Sequence, residues 1–510
     1  MIQLESFRNE INAGYSFKGD SLLLGTAMVK DTAVLQLPVM MPLKTFNRHG
    51  LIAGATGTGK TKTLQVLSEG LSDHGIPVLL MDIKGDLSGL AQPGSPHPKI
   101  DERHEKIGSK WQPKKYPVEL LSISEAAGVK LRATVSEFGP VLLGKILELN
   151  DTQSGVVSLI FKYCDDHQLP LLDLKDFRLA LRYLSNEGKS EIEKEYGRIS
   201  GASVGAIMRK IIEIEEQGAD LFFGEPSFDV YDLLRQKKGN GYINILRLLD
   251  IQGRPKMFST FMLCLLAEIY ESFPEKGDQE APELVIFIDE AHLIFKEASK
   301  ALLSQIESIV KLIRSKGVGI IFVTQSPEDI PSEVLGQLGM KIQHALRAFT
   351  AKDRKAIKLA AENYPLTEFY NTSEELTKLG IGEALVTVLN EKGVPTPLVR
   401  TLLRAPYSRM DIINETEFQQ VLSQSVLKNR YNEEIDRESA YEKLTRKLEQ
   451  VAKHQDITVE KKGKQRASKR EPTFIETLSK NTMVRQLGRT LMRELSRGLL
   501  GVLGATNRRR

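Results

Sequence analysis

The chain has little cysteine, no membrane-length apolar run and no net basic charge outside its C-terminal end. Of its 510 residues only Cys164 and Cys264 are cysteines. They stand far apart and outside any metal-ligand spacing, which excludes a disulfide framework and fits a reducing compartment. No apolar run reaches the roughly 20 residues that a membrane span requires. Residues 1–10 are acidic and hold no signal-peptide core, so a cytoplasmic location is expected. The net charge is +4, yet residues 459–510 alone hold 14 Lys and Arg against four acidic residues. That segment is about +10 and everything before it about −6, so basic charge is a property of the tail. Hydrophobic content of 41% and charged content of 27% are ordinary for a soluble globular protein.

What is present begins with a phosphate-cradle spacing. Gly54, Ala55, Thr56, Gly57, Thr58, Gly59, Lys60 and Thr61 follow the apolar run Gly50-Leu-Ile-Ala53 and precede the helical pattern Thr63-Leu-Gln-Val-Leu-Ser-Glu-Gly-Leu71. Strand, GxxxxGK[ST] and helix in that order is the context in which this spacing binds a nucleoside triphosphate. The glycines let the backbone turn so that successive N–H groups converge on phosphate at a helix N-terminus, with Lys62 in its first turn. Lys60 would reach the β- and γ-phosphates, and the Thr61 hydroxyl would take one position on Mg2+.

Leu284-Val-Ile-Phe-Ile is a continuous apolar run that ends in Asp289 and Glu290. Such a run reads as a strand buried on both faces of a parallel sheet. Asp289 would then support the metal, and Glu290 would orient and deprotonate the attacking water. A second buried-strand pattern, Gly317-Val-Gly-Ile-Ile-Phe-Val, ends in Thr324 and Gln325. Gln325 is a candidate sensor of the γ-phosphate. The run Ile76-Pro-Val-Leu-Leu-Met ends in Asp82, with Lys84 two residues on. Both would stand on the ligand-facing edge of an open α/β sheet, either as site residues or as structural turn residues.

The series GATGTGKT, LLMDIKGD, VIFIDEAH and FVTQSP resembles the ATPase core of the HerA–FtsK superclass of ring-forming motors, and most nearly the bacterial HerA-like proteins of the DUF853 type. The resemblance covers about residues 45–405. It implies an α/β fold with a RecA-like P-loop NTPase core, a mainly parallel sheet with helices on both faces. It also implies ATP and Mg2+ as cofactors and a homo-hexamer that hydrolyses ATP to translocate or unwind DNA, with a nuclease or another protein as a further partner. Proteins of that kind carry an N-terminal β-barrel, and the roughly 50 residues before Gly54 are too few for a complete one. Ring ATPases complete their site with an arginine from the neighbouring subunit. Arg314 is the first candidate for it and Arg347 the second.

The expected organisation is a short N-terminal β segment (1–44), the ATPase core (45–405) and a basic, helical and partly disordered tail (406–510). Helical periodicity over about 135–235 predicts a helical insertion between the second and third core strands. Ala384-Leu-Val-Thr-Val-Leu389 and Thr396-Pro-Leu-Val-Arg-Thr-Leu402 flank a turn at Gly393, a hairpin signal. In the tail, Arg485, Arg489, Arg493 and Arg497 share one helical face, and Leu487, Leu491 and Leu495 share another. Such a helix can dock on protein, follow a nucleic-acid backbone, or lie on a membrane as a peripheral contact. The alternative to a DNA motor is a ring-forming ATPase scaffold that acts on a protein or membrane partner.

Overall fold

The computed structural model describes residues 2–460, apart from 251–252, 278, 297–299, 434 and 436. The residues of the basic tail from 461 onward, Arg485 to Arg497 among them, lie outside that set. Met1–Arg446 form one compact unit and Lys447–Arg510 a second, of which the described part is helical. The first unit therefore continues well past the composition change at Pro406. Among the described residues no helix is long and apolar enough to cross a membrane.

The strands in chain order are β1 (Ser21–Val29), β2 (Thr32–Pro42), β3 (Gly50–Ala53), β4 (Val78–Asp82), β5 (Val118–Ser122), β6 (Val129–Lys130), β7 (Gln236–Lys237), β8 (Asn240–Gly241), β9 (Ile243–Arg247), β10 (Leu284–Ile288), β11 (Val318–Thr324), β12 (Met340–Gln343), β13 (Glu383–Thr387) and β14 (Val399–Leu403). Apart from the small β7–β8 ribbon they make one twelve-stranded sheet, ordered β2-β1-β14-β13-β12-β3-β11-β10-β4-β9-β5-β6. From β12 to β6 every neighbour is parallel. From β12 back to β2 every pair is antiparallel. The N-terminal strands β1 and β2 thus extend the sheet itself. Gly25 permits this, because a Cβ there would lie 2.0 Å from the Leu402 carbonyl oxygen.

Central strands that are covered on both faces read as unbroken apolar runs. Val285 and Phe287 of β10 and Ile321 and Val323 of β11 share a core with Leu64, Leu67 and Leu71 of helix α2 (Lys60–Asp73). On the other face Phe322 meets Phe295, with ring centroids 5.5 Å apart. Helix α1 (Ile2–Gly14) adds Phe7 and Ile11 to the first core. Five helices between Val135 and Glu215 form the insertion. It begins where periodicity predicts, but β5 and β6 stand between β4 and the insertion, so it follows two more strands of the sheet than expected.

Candidate active site

All the parallel strands end at one edge of the sheet, and β3, β4, β10 and β11 deliver the motif residues there. Ala53 pairs with Thr324, and Ile288 pairs with both Phe322 and Met81. The chain leaving β3 turns through Gly54 (φ 152°), Gly57 (φ 78°) and Gly59 (φ 112°) into α2. At Gly54 a Cβ would lie 2.5 Å from the His344 Cβ, so only glycine fits. The loop is pinned at both shoulders: Gly54 N–H donates to Thr324 O (3.3 Å) and Ala55 N–H to Ala345 O (2.8 Å). Lys60, Thr61 and Lys62 open the helix, where the first N–H groups have no intrahelical acceptor and the helix dipole favours an anion.

Lys60 is buried, and its ammonium donates to Gly54 O (2.5 Å) and Ala55 O (3.2 Å). Burial holds its pKa below the ordinary lysine value, and the neighbouring Lys84 ammonium adds to that. Thr61 is half-buried, Thr56 is exposed, and the Thr58 hydroxyl donates to Ala55 O at 2.7 Å. Behind the loop, His344 at the end of β12 shares a 2.9 Å hydrogen bond between Nε2 and Thr63 Oγ1. Burial pushes this histidine down to about 3, so it is neutral and its ring acts as packing with one polar tether.

Asp289 and Glu290 follow β10 directly, and both are buried. The Asp289 Oδ1 accepts from the Glu290 N–H at 2.9 Å. Glu290 stands at φ 47°, in the left-handed region, a conformation that costs a non-glycine residue about 1 kcal/mol or more and concentrates at functional sites. Its two carboxylate oxygens face different neighbours: Oε1 lies 2.5 Å from Lys84 Nζ, while the buried Oε2 lies 3.2 Å from His292 Nδ1 without accepting a hydrogen bond. Burial pushes Asp289 up to about 6, partly offset by Lys84 and reinforced by Glu290. Lys60 feels the charges of Lys84, Asp289 and Glu290, and β3 and β10 stand one strand apart, so the glycine loop and the acidic pair lie close together at one edge of the sheet.

The other sequence candidates separate. Asp82 accepts from Gly85 N–H (2.7 Å), Asp86 N–H (3.2 Å) and Leu87 N–H (3.2 Å), and so builds the turn after β4. Lys84, carried on that turn, is the one that reaches the site. Gln325 is exposed at the tip of β11, on the cradle edge. Arg347 is exposed shortly after β12 at the same edge. Arg314 stands before β11, where it lines a cavity with Arg48, Lys311 and Lys341. Its charge acts on His49, the residue before β3, so the length of β3, about 13 Å, separates it from its own cradle. His344, His292 and the pairing of Lys84 with Glu290 were missed by motif reading, because each is a contact between segments remote in sequence or lacks a spacing signature.

The donor set suits a Mg2+–nucleotide. Among the described residues no group of three or more His, Cys, Asp or Glu could hold a metal alone. One carboxylate, one hydroxyl and phosphate oxygens are what Mg2+ takes in such sites. The Asp289 carboxylate, pushed up by burial, is short of positive charge, which a divalent cation would supply.

Sheet order, cradle and acidic pair define a RecA-like P-loop NTPase. The chain belongs to the family described as Helicase HerA-like C-terminal, whose model it matches over residues 28–510. It is 23% identical over 356 residues to the DNA double-strand break repair helicase HerA of Sulfolobus acidocaldarius, covering 68% of this chain and 64% of that protein. To the protein of the same description from Saccharolobus solfataricus it is 23% identical over 387 residues, covering 75% and 69%. The chain thus spans about two thirds of the length of these relatives. Among solved structures, the bacterial conjugative coupling protein TrwBdeltaN70 in its unbound monoclinic form has the same fold. It covers 80% of this chain and 94% of its own, with a TM-score of 0.50 and 14% identity.

Proposed function

We propose that the protein is a Mg2+-dependent ATP hydrolase that works on DNA as a cytoplasmic, hexameric translocase or helicase. The observation that carries this reading is that Lys60, on the helix after β3, and Asp289 and Glu290, after β10, stand at the same end of the parallel sheet with only β11 between them. Residues 54–62 wrap the phosphates, Lys60 neutralises the β- and γ-phosphates, and Thr61 with Asp289 would hold Mg2+, which supplies charge neutralisation at the phosphates when bound. Glu290 takes the proton of the attacking water, and Gln325 senses the terminal phosphate. Two relatives described as DNA repair helicases support DNA as the substrate. In a ring, the edge carrying Arg314 would have to face the neighbour's cradle for that arginine to act there, whereas Arg347 is exposed on the cradle edge itself.

The test is the ATPase rate with and without Mg2+, and with single- or double-stranded DNA, on protein of measured subunit number. Glu290→Gln should keep ATP binding and lose at least about a hundredfold in turnover, the lower end of the range for a general base. Undiminished hydrolysis in that variant removes Glu290 from the mechanism. A rate indifferent to DNA at low salt would leave the ATPase in place and move its substrate to a protein or membrane partner.

A further inference from the structure

The ion pair between Lys84 and Glu290 has a consequence for the order of events in the site. Glu290, the water-activating base of the reading above, has its Oε1 only 2.5 Å from an ammonium. In that state the charge of the carboxylate is paired through Oε1, while the buried Oε2 faces His292 and accepts no hydrogen bond. The side chain of Glu290 is 8% exposed and that of Lys84 37%, so the lysine reaches in from the open side of the pocket. Its backbone is fixed by the turn that Asp82 ties to Gly85, Asp86 and Leu87. Its four-carbon stem remains free to swing. The other cation of the pocket, Lys60, rests on the carbonyls of Gly54 and Ala55, and the two ammoniums lie within each other's field. Two cations held on protein oxygens at the mouth of a phosphate cradle occupy positions that phosphate oxygens would compete for.

Resting on the ATPase reading, we propose that Lys84 is a ligand of the γ-phosphate and that its pairing with Glu290 is a latch which the γ-phosphate opens. A triphosphate draws the Lys84 ammonium away and releases the Glu290 carboxylate for the water. A diphosphate has no oxygen at that position, so the latch stays closed and the base stays neutralised. The device ties the readiness of the base to the presence of the bond to be broken. It needs no movement beyond one lysine side chain.

The experiment is calorimetric titration of the full-length chain with ADP and with a non-hydrolysable ATP analogue, each with Mg2+. Lys84→Met should weaken the analogue by about tenfold or more and ADP by less than about threefold, since only one of them carries the contact. Glu290→Gln removes the competing charge and should tighten the analogue in the wild-type background. In the Lys84→Met background that gain should vanish, the non-additivity expected of a coupled pair. Lys84→Arg, which keeps the charge, should retain most of the preference for the analogue, and thermal unfolding establishes that each variant is folded. Equal losses for both nucleotides, or a Glu290→Gln gain that survives without Lys84, would overturn the latch while leaving the ATPase reading intact. If the wild-type chain binds neither nucleotide, the ATPase reading itself falls and the latch with it.

Discussion

Asp289 is held in the folded protein at a cost that Lys84 offsets only in part. Burial raises its pKa from 3.8 to about 6, so the folded chain binds this proton more tightly than the unfolded chain does. The contribution to stability is therefore fully present below about pH 4 and is lost as pH rises from there through about 6, above which the carboxylate is ionised in both states. A shift of that size corresponds to about 1–3 kcal/mol. Asn at this position keeps an oxygen for the Glu290 N–H, which donates to Oδ1 at 2.9 Å, but has no charge to bury. Asp289→Asn should therefore be more stable than the wild type in metal-free buffer at pH 7.5 and more stable by a clearly smaller margin at pH 4.5, while its Mg2+-dependent ATPase activity collapses. Urea unfolding at the two pH values checks this, and equal stability at pH 7.5 would contradict it. Asp82 is also raised to about 6, but it accepts three backbone hydrogen bonds where Asp289 accepts one.

Helix α2 does two jobs along its length, and its second half shows what anchors the first. Its N-terminal turn closes the cradle. One turn further on than Gln65, Glu69 is fully buried and accepts from Arg404 Nη1 (2.9 Å), Tyr407 N–H (3.0 Å), Ser408 N–H (2.9 Å) and Ser408 Oγ (2.6 Å). Arg404 in turn donates to Val66 O at 3.1 Å. This buried pair ties the helix to the chain leaving β14. Removing one member of such a pair leaves the other charge uncompensated and typically costs about 3–5 kcal/mol. Glu69→Gln should lose at least about 3 kcal/mol in urea unfolding, and a loss below about 1 kcal/mol would show that the pair is relieved by solvent. The same kind of interaction explains what sequence reading could see. Strands β3, β4, β10 and β11 were legible because both faces are covered and, apart from Asp82 at the end of β4, every residue is apolar or small. Strand β5 was not, because Glu119 interrupts it, and the Arg235 that neutralises Glu119 at 2.7 Å comes more than a hundred residues later. Strand β12 was missed likewise: Lys341 donates to Asn363 O at 2.9 Å and Gln343 accepts from Tyr364 Oη at 3.0 Å. In the site, the cradle and the acidic pair are local spacings, so they could be read. The pairing of Lys84 with Glu290 joins two strands remote in sequence and could not.

At the scale of the molecule the charge is divided between a nucleotide-binding unit and a basic tail. Every residue assigned to the cradle lies within Met1–Arg446, and the segment Lys447–Arg510 carries most of the excess positive charge. If that charge meets a DNA backbone, each phosphate it neutralises releases counterions, and the slope of log K against log salt steepens by about 0.9 per phosphate on duplex DNA. A chain ending at Arg446 should then bind nucleotide within about twofold of the full chain, while its DNA affinity at low salt falls and its salt slope flattens by several units. Fluorescence anisotropy of a labelled duplex over a salt series measures both quantities. Apolar docking responds to salt weakly and in the opposite sense, because salt does not screen it. An unchanged slope would therefore assign the segment to a protein contact through Leu487, Leu491 and Leu495, and would leave the folded unit, with its net negative charge before residue 459, to find DNA by a localised patch.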